Sequence, residues 1–515
     1  MPALIPTLIA FGGQLVGSLV TGSTLAVALK AAAVVGTLTF LAQLTSRFNR
    51  DNSQVYQGIV RSAALPARWI LGRARVGGML VYYEEQNEVE DKGPKTVQLA
   101  IVLSEGPLEQ IEKIWVDGVE VPLRNRSVDN DGVHLNFHGP LLGHIAVWEY
   151  FAADGSGGAS LRSRSTHWTS QHRLTGKSWV HVELNQNDYS DASDRIWDGF
   201  PEIEFLIQGS KIRWPGQPNP TWTENAAAIR YWYMTEICGI SPDLIDISSF
   251  LAAYATCEQT VSFDLSENYT QAGYQSSSIR YSINGVISNE DTANVENEFD
   301  FCWQGYVVEA NARYYFRPGV NRPILRVLSD KDILENVSIQ VAPILQDRVN
   351  SMSMQLTQSN VKNWQGQDLP TQIDRVSKET RDNNEELWLD LGTRQYVQDP
   401  IVGGRLVAIA LKRAQDLSTF IYRVSPGRHL EWLRVIPGDR IRINHQALGL
   451  EIDTVITSVE TNEDWSVTIT FQSYSQNLYE PVLVLPPEPA PSDDLNNSPD
   501  PTDPFPGPDP DEFSP

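Results

Sequence analysis

The sequence predicts an α+β fold that is rich in β-strands and divided into several domains. Short runs in which apolar and polar residues alternate recur along most of the chain, as at 96–103, 111–116 and 202–207. Patterns with helical periodicity are confined to a few segments between these runs, such as 226–233 and 291–301. The content of 41 % hydrophobic and 20 % charged residues is ordinary for a folded protein, and 515 residues suffice for two to four domains with substantial cores.

Residues 1–50 are predicted to form an apolar helical arm. Up to residue 45 the only ionised side chain is Lys30, and about 20 apolar residues can span a bilayer as a helix. No positively charged region precedes the apolar run, which argues against a secretory signal. The glycines and many alanines also let helices approach closely, so the arm is expected either to enter lipid or to pack against copies of itself. A simple membrane anchor is the plain alternative. The candidate residues for membrane contact or helix packing are Gly13, Gly17, Gly22 and Lys30.

Residues 51–222 are predicted to form a β-rich domain. The strand at 111–116 runs through Asp117-Gly118 into the next apolar residues, and this dipeptide favours a two-residue type I′ hairpin loop. The stretch near 125–175 is rich in Gly, Ser, His and Asp, which predicts an insertion with long loops.

Residues 223–345 are predicted to form an α/β domain, and residues 346–479 a helix followed by β-strands. Thr223 and Glu224 precede one helical pattern, and Asp399 precedes another that has a single apolar face. Asn284-Gly285 indicates a second tight hairpin, and a third hairpin is expected between 306–309 and 313–317.

Residues 480–515 form an acidic tail that contains no Lys or Arg and is rich in Pro and Asp. Such a segment buries too little apolar surface to offset the entropy of ordering. We therefore predict that it is disordered or extended.

The net charge of −24 argues against a surface that binds nucleic acid tightly, because phosphate binding requires clustered Lys and Arg. It is compatible with a surface past which DNA slides. The three cysteines show neither a metal-binding nor a disulfide pattern, and they are predicted to be small buried groups in a chain that folds in a reducing compartment.

No segment carries a convincing active site. Residues 174–178 end like a phosphate-binding loop but lack its first glycine, and residues 127–132 imitate a calcium loop without its final glutamate. Glu202 and Glu204 form a carboxylate pair of a kind that any acidic protein contains. His134, His138 and His144 have no common metal-site spacing. No catalytic residue, metal ligand or cofactor is therefore predicted.

An ordered set of segments resembles the N-terminal half of the baseplate hub proteins of long-tailed bacteriophages, the tail-tip attachment (J-like) family. Each segment is weak alone, and the specificity comes from their order and spacing between residues 65 and 479. The segments are 65–78, 114–118, 200–212, 237–240 at the end of the helix after Pro220, 280–287, 348–352, 437–443 and 474–479.

The resemblance implies a homotrimeric ring of tail-tube-like β hub domains with an α/β domain between them. Such a ring sits at the distal tail tip of the virion, below the distal tail protein and around the end of the tape-measure protein. It is made in the host cytoplasm, and DNA passes its lumen without specific binding. Longer family members add receptor-binding domains that are not seen after residue 479, so a separate central fibre or receptor-binding protein is expected.

The leading hypothesis from the sequence is thus a structural, non-enzymatic hub that closes the tail tube and opens for DNA ejection into the host. A host membrane is a further expected partner, through the apolar arm. The main alternative is a membrane-anchored surface adhesin or carbohydrate-binding protein, with the 14 tryptophans as sugar platforms. A virion glycan hydrolase is a third class, which only generic carboxylate pairs support.

Overall fold

The computed structural model describes residues 67–480, except for 90–92, 130–131, 139–142, 156, 186–200, 267–275, 289–290, 341–348, 357–371, 377–384, 416–417, 428–429 and 476. Strands dominate and helices are few, which confirms the predicted β-rich α+β class. Gly13, Gly17, Gly22, Lys30 and nearly all of the acidic tail lie outside the described residues, as does part of the calcium-loop-like segment.

The first part of the described chain contains eleven strands and one short helix. They are β1 (Trp69–Leu71), β2 (Arg73–Val76), β3 (Met79–Val89), β4 (Gly93–Glu105), β5 (Leu108–Val116), β6 (Val119–Val121), β7 (Leu123–Asp129), β8 (Gly132–Phe137), β9 (Ile145–Tyr150), α1 (Ala159–Arg164), β10 (Lys177–Asn185) and β11 (Ile203–Ser210).

Most of these strands form two sheets that share one core. The six-stranded sheet has the order β3-β4-β10-β9-β8-β7, and the four-stranded sheet has the order β2-β11-β5-β6. Because side chains alternate between the faces of a strand, Ile101 and Val180 of the first sheet point to the same core as Ile111 and Phe205 of the second. The predicted Asp117-Gly118 loop is confirmed, since both residues have positive φ.

The segment near 125–175 differs from the predicted long-loop insertion. It contributes β8 and β9 to the six-stranded sheet, and α1 lies in the same segment. Its Gly- and Ser-rich composition belongs to the short connections, whereas the intervening residues contain the alternating pattern of Val133, Leu135 and Phe137.

The remaining elements are β12 (Ile212–Trp214), β13 (Gln217–Thr221), α2 (Ala226–Trp232), α3 (Ile247–Cys257), β14 (Thr260–Ser262), β15 (Ser277–Ile279), β16 (Gly285–Ile287), α4 (Thr292–Trp303), β17 (Tyr306–Ala310), β18 (Arg313–Arg317), β19 (Ile324–Ser329), β20 (Ile333–Gln340), β21 (Ser351–Leu356), β22 (Gln372–Val376), β23 (Trp388–Arg394), α5 (Pro400–Gln415), β24 (Thr419–Val424), β25 (Arg440–His445), β26 (Leu450–Thr461) and β27 (Val467–Ser473).

Side-chain caps define where the helices begin. Asp246 accepts a hydrogen bond from a backbone N–H of α3, Asp291 does so for α4, and Asp399 does so for α5. The cap of α2 is Asn225, whose Oδ1 accepts from the N–H groups of Ala227 and Ala228, rather than the predicted Thr223 or Glu224. A π-helical turn, Tyr233–Ile237, continues α2.

The helices and the three-stranded sheet β22-β21-β23 enclose a central core. Strand β1 pairs with β16, so Leu71 packs in the central core while Val286 of β16 packs in the core of the first two sheets. The two cores therefore meet at this strand pair. Cys257 and Cys302 are buried in the central core as unpaired thiols, and Cys238 packs at its edge as a third.

The predicted Asn284-Gly285 hairpin is wrong. Gly285 begins β16 and pairs with Leu71 of β1, and neither residue of the dipeptide has positive φ. Long-range bonds replace the local turn, since Asn284 Oδ1 accepts from the N–H of Arg73 at 2.7 Å and the N–H of Asn284 donates to Tyr396 O. The hairpin predicted between 306–309 and 313–317 is confirmed as β17 and β18.

The C-terminal sheet has the order β19-β25-β26-β27-β24-β20. Its two edge strands are consecutive in the chain and are joined by the short turn at 330–332, so the sheet must curl into an incompletely closed barrel. Strands β19 and β20 thus join strands that follow residue 418, and the predicted domain boundary at residue 345 does not coincide with the limits of this sheet.

Candidate functional site

A ladder of rings crosses the outer face of the six-stranded sheet. His134, Trp148 and His181 are directly opposite one another on β8, β9 and β10, and their rings stack with centroid distances of 4.8 and 4.6 Å. On the next rung, Tyr150 stacks on Trp179 at 4.4 Å. Strand register alone therefore brings together residues that are up to 47 positions apart in the chain.

Helix α1 and the loop that follows it cover this ladder. Leu161 of α1 and Trp168 of the loop pack with Trp179 in a small apolar cluster. The guanidinium of Arg164 lies 4.4 Å from the centroid of the Trp148 ring, which is a cation–π distance. The cover leaves Trp148 only 3 % exposed.

Beneath the cover, three polar side chains form a chain of hydrogen bonds. Ser160 Oγ lies 2.6 Å from His181 Nδ1, and His181 Nε2 lies 2.7 Å from Gln98 Oε1. The order Ser, His, acceptor is that of hydrolases with a serine nucleophile, but the third group is an amide rather than a carboxylate. Ser160 and His181 are both 0 % exposed, so no substrate reaches the hydroxyl. The chain of bonds anchors α1 to the sheet.

His181 should make stability depend on pH. Burial, with a contribution from Arg164, lowers its pKa to about 3, whereas an unfolded histidine titrates near 6.5. Below pH 6.5 His181 becomes protonated in the unfolded chain but stays neutral in the folded chain. The contribution of His181 to the free energy of unfolding is therefore complete above pH 6.5 and is lost progressively as the pH falls toward 3. Between pH 7 and 5 the free energy of unfolding should fall by about 2 kcal/mol more in the wild type than in His181→Gln. Urea unfolding at both pH values checks this, and equal losses in the two proteins would contradict it.

Glu84 fastens the loop after α1 to strand β3. Its carboxylate accepts hydrogen bonds from Gln86 Nε2 and from the N–H of Thr166, both at 2.9 Å, and also from the hydroxyls of Tyr82 and Ser165. Burial alone would raise the pKa of this carboxyl, but the four donors outweigh burial and hold its pKa well below the usual range. The carboxylate is therefore a structural anion.

The carboxylate pair considered for glycoside hydrolysis is not arranged for acid–base chemistry. Glu204 is buried in an ion pair with Arg75, whose guanidinium also lies 4.1 Å from the Trp115 ring centroid. Glu202 is exposed and lies immediately before β11. An acid–base pair needs two carboxyl groups that face one substrate, and here one of them is occupied by a cation.

The other chemistry considered from sequence has no support among the described residues. His134 lies in the ring ladder, and within the described ranges no three His, Cys, Asp or Glu side chains form a group that could hold a metal ion. Lys177, from the segment that resembles a phosphate-binding loop, opens β10 and pairs with Glu105. Among the helices that the structure describes, none combines the length and hydropathy that crossing a membrane requires.

Most of the described tryptophans are core residues rather than surface platforms. Seven of those described are at most 6 % exposed: Trp115, Trp148, Trp168, Trp179, Trp232, Trp303 and Trp432. Only Trp388 and Trp465 of the described tryptophans are more than 40 % exposed. A sugar platform needs an accessible ring face, so the high tryptophan count reflects packing.

Exposed apolar side chains concentrate on strands at the edges of sheets. Edge strands present unpaired backbone groups, and monomeric proteins usually protect them with charge. In this protein they carry apolar side chains that are 41 to 82 % exposed, which is typical of surfaces that another chain covers. These residues are Val81 and Tyr83 on β3, Val119 on β6, Val128 on β7, Leu325 and Val327 on β19, Leu334 on β20, and Trp388 on β23.

Comparison with known proteins shows a shared fold. The chain is similar to a protein chain in the virion of a native gene transfer agent particle, with 14 % identity and a TM-score of 0.50, over 88 % of this chain and 98 % of that one. At this identity the likeness shows the fold alone. No family model and no curated protein matches the sequence.

Two tail proteins are similar with lower TM-scores, and this similarity supports no inference. Prophage tail protein gp18 from Listeria monocytogenes EGD-e has 10 % identity and a TM-score of 0.25, covering 76 % of this chain and 87 % of its own. The tail protein from Neisseria meningitidis MC58 has 8 % identity and a TM-score of 0.29, covering 81 % and 97 %.

Proposed function

We propose that the protein is a structural component of a phage-like virion tail, where three copies form the baseplate hub at the distal tip. The observation that carries this proposal is the fold shared over 88 % of this chain with a protein of a gene transfer agent virion. The ordered segments that resemble tail-tip hub proteins support the same role. Its partners would be the distal tail protein, the tape-measure protein and a separate central fibre or receptor-binding protein.

The edge strands support a multimeric ring. Strands β19 and β20 border the seam of the C-terminal barrel and expose Leu325, Val327 and Leu334. When a neighbouring copy pairs with or covers such an edge strand, the unpaired backbone groups and the apolar side chains of that strand are both removed from water. A ring built in this way would close the tail tube before infection and open it for DNA ejection.

The charge distribution supports a lumen that does not retain DNA. The chain carries a net charge of −24, and many described arginines are engaged in ion pairs. Among them, Arg75, Arg230, Arg394 and Arg440 are largely buried. DNA carries about one charge per 1.7 Å of axis, so a continuous basic belt would hold the genome. The chain has 64 Asp and Glu against 40 Lys and Arg, an excess of acidic side chains that disfavours such a belt.

The assembly state is the first test of this function. The full-length protein in purified particles, imaged by cryo-electron microscopy, is expected as three copies around the tail axis at the tip, with the barrel edges covered. One copy, or six symmetric copies, would contradict the trimer. A location on the bacterial surface without a tail would contradict the virion role and favour a membrane-anchored adhesin.

The apolar arm supplies a second test, because its length matches a bilayer core. We expect the double variant Ala26→Asp with Ala33→Asp to leave adsorption intact and to block genome delivery, since charges are costly in lipid. Delivery is measured by potassium release and DNA uptake in infected cells. The control variant replaces the same two alanines by serine and should deliver normally. Normal delivery by the aspartate variant would contradict membrane insertion and leave the arm a plug of the tube.

A further inference from the structure

Helix α3 has two apolar faces and no charged residue. One face packs inward, where Phe250 lies 4.9 Å from the ring of Tyr231 and 5.5 Å from that of Phe316. The exposed side carries Ile247 and Leu251, which are one helical turn apart and 40 % and 48 % exposed, together with Ser248, Ala252 and Ala255. A surface helix normally exposes charged residues, and the exposed side of this helix has two large apolar side chains and no charge.

The exposed face continues beyond the helix. Leu244, three residues before Ile247 in the preceding 3₁₀ turn, is 43 % exposed, and Ala255 extends the row by one more turn. The spacing of three and four residues places Ile247, Leu251 and Ala255 along one line. We name this surface, formed by Leu244, Ile247, Leu251 and Ala255, the outer α3 face.

The chain contains one long segment whose composition matches this surface. Residues 1–45 are rich in Ala, Leu, Val and Gly, and Lys30 is their only charged residue. In water this segment must be covered by some apolar surface, because an exposed patch of that size drives association. Neither the outer α3 face nor residues 1–45 contain a row of charged side chains, so contact between them would not require the desolvation of many charges.

The described chain begins near the end of α2, the helix that packs on the inner face of α3. The ring of Trp69 in β1 lies 5.3 Å from that of Trp232 at the end of α2, and α2 packs on α3 through Tyr231 and Phe250. The 21 residues at 46–66 connect this point to the arm and can extend to roughly 70 Å. The arm can therefore reach the outer α3 face of its own chain without strain.

We propose that the outer α3 face is the docking surface for the N-terminal apolar arm, residues 1–45, of the same chain. Docking covers the outer α3 face before assembly and keeps the docked part of the arm out of lipid until it is released. Because the docking takes place within the isolated full-length chain, it can be tested independently of the proposed role in the virion.

Photo-cross-linking of the full-length protein tests the docking. A benzophenone amino acid at position 251 should cross-link to peptides within residues 1–45. The same group at position 128, on an 82 % exposed valine of β7, should give no cross-link to these residues. Co-expression of isotopically light and heavy chains shows whether each cross-link is within one chain. Absence of cross-links to 1–45 at position 251, cross-links only between chains, or cross-links to residues 237–258 of a second copy would each overturn the proposal.

A second pair of variants tests the apolar contact itself. With the benzophenone at position 244, adding Leu251→Asp should reduce the yield of cross-links to residues 1–45 about tenfold, because it removes one buried leucine contact. Adding Val128→Asp should leave the yield unchanged. Position 251 is half exposed, so the substitution leaves the core intact. An unchanged yield with Leu251→Asp would overturn the proposal.

Discussion

Replacing Gly285 by valine is expected to destabilise the protein by at least about 3 kcal/mol and to lower the yield of soluble protein. Gly285 is buried where β16 pairs with β1, and a Cβ atom there would lie 2.8 Å from Gln395 O and 2.8 Å from Tyr396 Cδ1. Tyr396 is fully buried and the carbonyl belongs to the backbone, so neither neighbour can move aside cheaply. Urea unfolding and the yield of soluble full-length protein measure the effect.

Gly118 provides the matched control. It has positive φ in the tight turn between β5 and β6, and a Cβ atom there would meet nothing within 4 Å. Gly118→Ala should therefore cost only the strain of a left-handed residue, about 1–2 kcal/mol, and the protein should still fold. A Gly285→Val protein that unfolds at the urea concentration of the wild type would show that the packing around β16 yields easily.

Arg75→Met is expected to lower the free energy of unfolding by about 3–5 kcal/mol. The Arg75–Glu204 pair joins β2 to β11, and both side chains are less than 10 % exposed. Removal of the guanidinium leaves the Glu204 carboxylate buried without this partner and also removes the cation–π contact with Trp115. Chemical denaturation of the purified variants measures the loss.

The double variant separates the two contributions. Arg75→Met with Glu204→Leu removes both charges, and its stability should return to within about 1–2 kcal/mol of the wild type. Lys113→Met is the exposed control in the same sheet, since the Lys113–Glu120 pair is about 45 % exposed on both sides, and it should cost less than about 1 kcal/mol. If the double variant is as unstable as Arg75→Met, the charge of Glu204 is not the cause of the loss.

Local features were predictable from the sequence alone. The Asp117-Gly118 turn, the hairpin of β17 and β18, and the starts of α4 and α5 at Asp291 and Asp399 all occur as predicted. Each depends on contacts within about five residues, so the necessary information lies in one short segment. The β-rich α+β class follows from the same alternating patterns repeated along the chain.

The candidate sites were only partly predictable. The sequence contained no common metal-binding or catalytic motif that could locate a site. It did not indicate the Ser160–His181–Gln98 chain, since those residues meet only through the pairing of β10 with β4 and the placement of α1 over the sheet. The sequence also did not indicate the outer α3 face, because a helix without charged residues is expected to be buried on all sides.

What the sequence by itself determined is therefore the β-rich class, the Asp117-Gly118 turn, the β17–β18 hairpin, the starts of α4 and α5, and the contrast in composition between an apolar N-terminal segment, a mixed central part and an acidic tail. The tertiary structure alone decided that Asn284-Gly285 joins β1 instead of forming a hairpin, and that β19 and β20 lie at opposite edges of one barrel sheet. The physical reason is the range of the interactions. Turns and caps are satisfied by neighbours in the chain, whereas strand partners and close packing are chosen among distant segments that compete for the same backbone groups and core volume.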